Sequence, residues 1–265
     1  MQRFFIENID GDTAKISGSE AHHLKDVLRK KVGDAVFLFD GKGNEYEAKI
    51  VRHGGSASGM KRIRELEIRL KIVTKTKKDT EPKIKINLYQ SIPKLKKFDF
   101  IVEKSTEIGV SKIIPVISER TIPELSLRVQ AKQSRWQKIA LSAAKQCGRT
   151  IIPEICSVMN FQDAVKSVCI SENPSQSISL IPWESEQKNT LKQILKICNL
   201  QIVPRELPSV AICNLFIGPE GGFSNAEIER AQKCGVIPVS LGKRILRTET
   251  APIVVISNIL YELES

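Results

Sequence analysis

The sequence predicts an α/β fold for the larger, C-terminal part of the chain, preceded by a small β-rich domain. Apolar runs alternate with helical patterns from residue 83 onward, which favours a parallel sheet covered by helices on both faces. Short strand-like segments separated by glycine turns fill residues 1–73. Near the C-terminus, two glycine-bearing loops each follow an apolar run and precede a helical pattern. Such loops are typical of the carboxyl edge of a parallel sheet, where ligands bind.

The N-terminal domain, residues 1–73, is predicted to be a compact barrel with one helical insertion. Ser19 is the expected N-cap of that helix, and Leu24 lies in its apolar stripe. Residues 74–82 are predicted to be a linker, and residues 83–265 to form the second domain. Strands are predicted at residues 3–6, 13–16, 35–39 and 45–51.

Three helical patterns stand out in the second domain. The clearest ends at Cys147, because the apolar residues before it repeat at the spacing of one buried helix face and Gly148 closes it. Ser224 and Glu227 form a capping box after the first glycine loop. The last helix is apolar nearly all round, so we expect it to be covered by its own domain or by a second subunit.

Composition limits the partners of the chain. Lys and Arg number 41 against 30 Asp and Glu, which gives a formal net charge of +11. This excess favours a polyanion such as nucleic acid, although a lysine-rich surface without such a partner also fits. Aromatic residues make up only 5% of the chain, which argues against a stacking platform for single strands.

The sequence gives no sign of a membrane, a metal or a common nucleotide motif. No apolar run is long enough to span a bilayer and no signal-peptide core follows Met1, so we expect a cytoplasmic protein. The cysteines form no Cys-x-x-Cys pair, which predicts thiols in a reducing compartment and no metal site. Neither the phosphate-binding loop nor the dinucleotide fingerprint is present.

The two glycine-bearing loops predict a ligand pocket built largely from main chain. The first follows Ile217 and contains Gly221-Gly222, and the second covers residues 241–250. Paired glycines reach positive φ and let the backbone approach a ligand closely. On the glycines alone, an ordinary tight turn is the simpler interpretation of Gly221-Gly222.

Both loops resemble the signature of the RsmE family, the SPOUT-class methyltransferases that methylate N3 of a uridine in small-subunit (16S) ribosomal RNA. Residues 22–34, 103–110 and 135–149 resemble other parts of the family pattern, in the same order. The resemblance implies a PUA-like RNA-binding barrel, then a SPOUT-type parallel sheet with a C-terminal trefoil knot. It also implies S-adenosylmethionine as cofactor, the small ribosomal subunit as partner, a homodimer, and neither metal nor membrane.

The acceptor that the resemblance implies, N3 of uridine, indicates candidate site residues. Because methylation at N3 of uridine needs a proton removed and the resulting anion stabilised, we expect Arg247, Glu249 and Arg149 to act in catalysis. Contacts to RNA are expected from Arg3, Arg29, Lys30 and Lys31. The expected cofactor-binding residues are Ile217, Gly218, Pro219, Glu220, Gly221, Gly222, Leu241, Gly242, Ile245, Leu246, Arg247 and Thr248.

Two alternatives stay open at this point. A noncatalytic RNA-binding or ribosome-assembly factor would keep the barrel, but the intact glycine loops argue against lost activity. A SPOUT methyltransferase acting on transfer RNA would share the second domain, but the likeness covers nearly the whole chain. Pro252 departs from the family pattern, which usually has a small residue there, so the start of the last helix is left open.

Overall fold

The computed structural model describes residues 3–54, 66–94, 97–121, 132–169, 177–199 and 212–263. The chain divides into two compact units. The first contains Met1–Glu81 and Ala144–Ile152, and the second contains Pro82–Ala143 and Pro153–Ser265.

The first unit is built on a six-stranded sheet in the order β1-β4-β5-β6-β3-β2. Strands β1 and β4 run parallel, and the other neighbours are antiparallel. The predicted β-rich character of this part of the chain is therefore confirmed. The strands are β1 (Arg3–Phe5), β2 (Ile9–Asp10), β3 (Thr13–Ser17), β4 (Ala35–Phe39), β5 (Asn44–Gly54) and β6 (Glu67–Lys77).

The helical insertion begins earlier than predicted. Helix α1 covers Gly18–His22, and a single π-helical stretch, His23–Val27, continues it. Its N-cap is Ser17 and not Ser19, because β3 runs directly into the helix: Ser17 still pairs with β6 and has an extended backbone, φ −131°. Leu24 is fully buried, as its place in the apolar stripe predicts.

The first unit extends beyond the predicted boundary in two ways. Strand β6 continues to Lys77, which pairs with Asn44 of β5, so residues 74–77 belong to the sheet and not to a linker. Residues 144–152 also join this unit. Thr150 donates its main-chain N–H to the hydroxyl of Thr80, 3.3 Å away. Contacts between residues so far apart in sequence leave no local pattern, which is why the prediction missed them.

The second unit contains a seven-stranded sheet in the order β10-β8-β7-β12-β11-β13, with β9 beside β8. All of its pairs are parallel. This confirms the predicted α/β class, while the trefoil knot stays a prediction. The strands are β7 (Lys85–Ser91), β8 (Lys112–Ile117), β9 (Glu154–Ile155), β10 (Met159–Asn160), β11 (Ser177–Pro182), β12 (Ile212–Ile217) and β13 (Ile237–Val239).

Helices bury both faces of this sheet. On one face the rings of Tyr89 and Phe216 stack 4.5 Å apart in a core that α4 and α6 complete. Their neighbours along the strands, Leu88 and Leu215, are fully buried, and alternation along a strand points them to the other face. The helices are α2 (Lys97–Ile108), α3 (Gln133–Cys147), α4 (Phe161–Cys169), α5 (Leu191–Asn199), α6 (Asn225–Lys233) and α7 (Ala251–Leu263).

Two of the helix predictions have direct counterparts in the structure. The capping box at the start of α6 is complete, with Ser224 and Glu227 each bonding the other's main-chain N–H. Helix α7 packs against α2, α5 and β12 of the same unit, which covers most of its apolar surface. In the part of the chain that the structure describes, no helix combines the length and apolar character needed to cross a bilayer.

Candidate active site

The two glycine-bearing loops meet at the carboxyl edge of the second sheet. The hydroxyl of Thr248, in the second loop, donates to the carbonyl of Gly218 in the first loop over 2.6 Å. The same hydroxyl accepts from Nε2 of Gln90, 3.1 Å away, near the end of β7. Since β7 and β12 are neighbours in the sheet, one hydroxyl joins both loops to the adjacent strand.

Gln90 is fully buried, and its amide is only half satisfied. Its Nε2 also donates to the carbonyl of Ser91 over 2.9 Å, whereas its Oε1 has no hydrogen-bond partner among the described residues. A buried acceptor left unpaired costs about 1–3 kcal/mol. A ligand that offers an N–H or O–H at this point would remove that cost.

The turn in the first loop depends on Gly222 rather than on Gly221. Gly222 has φ +67°, and its N–H donates to the carbonyl of Pro219 over 2.9 Å. A Cβ at Gly222 would lie 3.0 Å from Oε1 of Glu184, which follows β11. At Gly221 a Cβ would meet only the flexible side chain of Arg120, at 3.3 Å. Gly222 is thus the position that requires glycine.

Lys97, at the start of α2, ties the acidic residues of the two loops together. Its Nζ lies 3.2 Å from Oε1 of Glu220 and 3.2 Å from Oε2 of Glu249. Burial works to lower the pKa of Lys97, but hydrogen bonds to Glu249 and Glu220 raise it overall. Partial burial likewise works to raise the pKa of Glu220, but hydrogen bonds from its own N–H, the N–H of Lys94 and Lys97 lower it overall. Both charges therefore persist at neutral pH.

In the second loop the cationic side chains are exposed, whereas Thr248, which bonds to the first loop, is buried. Arg247 is exposed and Ile245 is 84% exposed, whereas Thr248 is buried. The carbonyl of Arg247 accepts from the N–H groups of Thr250 and Ala251, each over 2.9 Å, at the point where α7 begins. Across the described ranges, the guanidinium of Arg247 has no acidic partner, so it is available to a ligand.

The start of α7 resolves the question raised by the proline in the last helix. Helix α7 begins at Ala251, so Pro252 occupies its first turn. The N–H groups of a first turn have no intrahelical acceptor, and proline lacks only that group. The substitution is therefore compatible with the helix.

Arg149 and Arg3 belong to the first unit, where both are built into the structure. The guanidinium of Arg149 is buried and pairs with the carboxylate of Glu81, with Nε 3.1 Å from Oε2. Arg3 donates to the carbonyl of Arg149 over 3.0 Å and pairs with Glu45 at 2.8 Å. These contacts give both arginines a structural part in the first unit, while the roles expected for Arg149 in catalysis and for Arg3 at RNA stay predictions.

The other residues predicted to contact RNA lie on one loop before β4. Arg29 and Lys31 are exposed, and Lys30 is half-buried. Arg29 has φ 52°, which is uncommon for a residue other than glycine. This loop also belongs to the first unit.

Comparison with known proteins identifies the family. Residues 80–260 match the family described as RNA methyltransferase domain, and residues 16–55 match the RNA methyltransferase PUA domain. Ribosomal RNA small subunit methyltransferase E of Bacillus subtilis (strain 168) is 30% identical over 270 residues, which cover 100% of this chain and 98% of the relative. The chain belongs to the RsmE family.

Other RsmE proteins are similar to this chain over nearly the same length. The RsmE of Buchnera aphidicola subsp. Acyrthosiphon pisum is 32% identical over 244 residues, which cover 91% of this chain and 85% of that protein. The crystal structure of the RsmE of Neisseria gonorrhoeae bound to S-adenosyl methionine superposes with a TM-score of 0.75 at 32% identity. That superposition covers 98% of this chain and 97% of the other. The family resemblance of the sequence is confirmed.

Four side chains at the loops of this RsmE-family chain were not predicted. They lie far from the loops in sequence, and only the strand order β8-β7-β12-β11 brings them to the same edge. One sequence feature could have pointed to them: residues at the carboxyl ends of the strands that neighbour β12, because ligand sites in parallel sheets form at those ends. The four are Gln90, Lys97, Arg120 and Glu184.

Proposed function

We propose that this protein transfers a methyl group from S-adenosylmethionine to N3 of a uridine in 16S ribosomal RNA, in the cytoplasm. The observation that carries the proposal is the contact of Thr248 with Gly218 and Gln90, which joins two glycine loops in a chain of the RsmE family. The names of the relatives support ribosomal RNA of the small subunit as the substrate. The choice of N3 rests on the family resemblance of the sequence.

The residues at the two loops fit this cofactor. S-adenosylmethionine combines an adenosine, rich in donors and acceptors, with positive charge on sulfur and on an amino group. Gln90 offers a buried acceptor that no described residue satisfies, and Glu184 offers a carboxylate beside Gly222. We propose that main-chain groups of both loops hold the cofactor, as the resemblance implies; in the second loop these belong to Leu241, Gly242, Ile245, Leu246, Arg247 and Thr248. When bound, the cofactor supplies an electrophilic methyl group.

Arg247 and Glu249 are the residues that we assign to the target base. N3 of uridine carries a proton at neutral pH, so the site must accept that proton and stabilise the negative charge left on the base. Arg247 is exposed and free of acidic partners among the described residues, which suits the second task. Glu249 is the carboxylate of the same loop, and Lys97 fixes its orientation, which suits the first.

A methylation assay tests the proposal directly. Purified protein is incubated with labelled S-adenosylmethionine and small ribosomal subunits from cells that lack the gene, and the modified nucleoside is identified by mass spectrometry. We expect 3-methyluridine. A methylated cytidine, a methylated ribose or label in transfer RNA would overturn the substrate assignment. Absence of S-adenosylmethionine binding in calorimetry would instead favour the noncatalytic alternative.

We also propose that the protein acts as a homodimer, as the family resemblance implies. The side chain of Tyr261 supports this, because it is a large aromatic group that is 78% exposed on helix α7. Sedimentation velocity should give the mass of a dimer for the wild type and that of a monomer for Tyr261→Glu. A monomeric wild type at micromolar concentration would overturn this proposal.

A further inference from the structure

The outer surface of three neighbouring strands in the first unit carries two rows of positive charge. In one row, Arg69 of β6 lies between Lys15 of β3 and Arg52 of β5. In the next row, Lys71 of β6 lies opposite Lys49 of β5. All five side chains are exposed, and together they are called the cationic face below.

This arrangement costs stability, because like charges directly opposite each other on neighbouring strands repel. Strands lie about 4.7–4.9 Å apart, so the charged ends of the long side chains in one row lie close to one another. The inward-facing residues of β6 already supply the core: Ile68 and Leu70 are fully buried. Packing therefore does not explain why the outward positions are cationic.

Acidic residues offset only part of this charge. Glu67 pairs with Arg69 at 3.0 Å and with Lys15 at 3.8 Å. Asp12 pairs with Lys71 at 3.6 Å. The remaining two cations, Lys49 and Arg52, have no acidic partner within the residues that the structure covers. The uncompensated charge thus lies on β5.

The loop predicted to contact RNA adjoins the same strand. Gly33 donates its N–H to the carbonyl of Ile50 over 2.8 Å, and Ile50 donates to the carbonyl of Asp34 over 3.0 Å. Ile50 lies between Lys49 and Arg52 in sequence, so this loop and the cationic face are joined at β5. Lys31 on the loop is exposed, so the segment that adjoins β5 carries a further cation.

We infer that the cationic face binds the phosphate backbone of the RNA substrate, on a surface continuous with the loop of Lys31. This inference rests on the proposed function, which supplies a polyanionic substrate. Lysine and arginine rows without an aromatic side chain among them suit phosphates and not stacked bases. The face therefore contributes affinity that depends on salt and little on sequence.

A double substitution on β5 tests the inference. Lys49→Gln with Arg52→Gln removes the two exposed cations of β5, and Lys192→Gln with Lys196→Gln removes two exposed cations from α5 as a matched control. Binding to small ribosomal subunits is measured over a salt series. For the β5 variant, we expect the slope of log K against log salt to fall by about 2 and the affinity near 0.1 M salt to fall about tenfold.

The stability, cofactor affinity and RNA affinity of the two variants together test the inference. A thermal midpoint that is unchanged or raised in the β5 variant, together with unchanged S-adenosylmethionine affinity and weaker RNA binding than the control, supports the inference. Equal RNA binding in the β5 variant and the wild type, or an equal loss in the control, overturns it. Stronger competition by polyglutamate than by RNA also overturns it. A wild type that binds subunits but does not methylate them refutes the proposed function and leaves the face to be judged by the binding data.

Discussion

Arg247 combines an exposed guanidinium with a main chain fixed at the start of α7. A cation that stabilises charge on the base acts mainly in the transition state, so its removal should lower kcat and leave cofactor binding nearly intact. We expect Arg247→Ala to reduce kcat by about 10²–10³-fold, the size of effect seen when a charge-stabilising group is lost. The KM for S-adenosylmethionine should change little.

The matched control for Arg247 is its exposed neighbour Arg244, replaced by alanine in the same loop. Its kcat should stay close to that of the wild type. Normal turnover by Arg247→Ala would show that this side chain has no part in catalysis. Equal losses of kcat in both variants would show that only the total positive charge of the loop matters.

Gly222 is the residue on which the shape of the first loop depends. At φ +67° any Cβ is strained, and here it would also meet the carboxylate of Glu184 at 3.0 Å. We expect Gly222→Ala to destabilise the protein by about 1–2 kcal/mol in urea unfolding and to weaken S-adenosylmethionine binding in calorimetry. Gly221→Ala is the comparison variant and should leave the free energy of unfolding nearly unchanged, because its Cβ would meet only the flexible side chain of Arg120. Identical behaviour of the two variants would contradict this account.

Among the structural elements, α2 has the clearest link to the site, because Lys97 at its start holds the acids of both loops. Lys97→Met leaves Glu220 and Glu249 without that partner, so the two loops lose the ion pairs that connect them. We expect the KM for S-adenosylmethionine to rise about tenfold in steady-state kinetics, the ratio that corresponds to 1.4 kcal/mol. Global stability should fall little, since partly exposed pairs contribute little.

Lys97→Arg, measured in the same experiment, tests whether the positive charge at this position is what matters. Arginine keeps the positive charge and reaches two carboxylates, so this variant should recover most of the affinity for S-adenosylmethionine. If Lys97→Met retained the wild-type KM, α2 would have no part in positioning the loops.

At the scale of the whole molecule, residues 144–152 make the first unit discontinuous in sequence. Arg149 is buried there against Glu81, and a buried pair that loses one partner costs about 3–5 kcal/mol. We expect Arg149→Met to lower the free energy of unfolding by roughly that amount. The exposed Arg135, which pairs with Asp99, is the control, and Arg135→Met should cost less than about 1 kcal/mol.

The kinetics of Arg149→Met also test the catalytic role expected from the sequence. A structural arginine predicts nearly normal kcat at temperatures where the variant stays folded. A loss of kcat in the folded variant, with S-adenosylmethionine binding unchanged, would support the predicted role of Arg149 at the target base.

The sequence predicts what depends on local periodicity and capping. The helix that ends at Cys147 and the capping box of Ser224 are examples, because their signals lie within a few residues. Which glycine of the pair takes positive φ, and which side chains face the loops, depends on the strand order of the sheet. Gln90 and Lys97 lie more than a hundred residues from their partners, so no local pattern contains them.

The place of β12 in the sheet has a consequence for synthesis of the protein. Residues 212–217 are made after β7 and β11, yet they pair with both of these strands. A growing chain that ends before Ile212 therefore has two strands with open edges and a gap between them. Open edges of apolar strands pair readily with other chains. The second unit thus completes its sheet only in the last part of translation, and shortened chains are the species most exposed to aggregation.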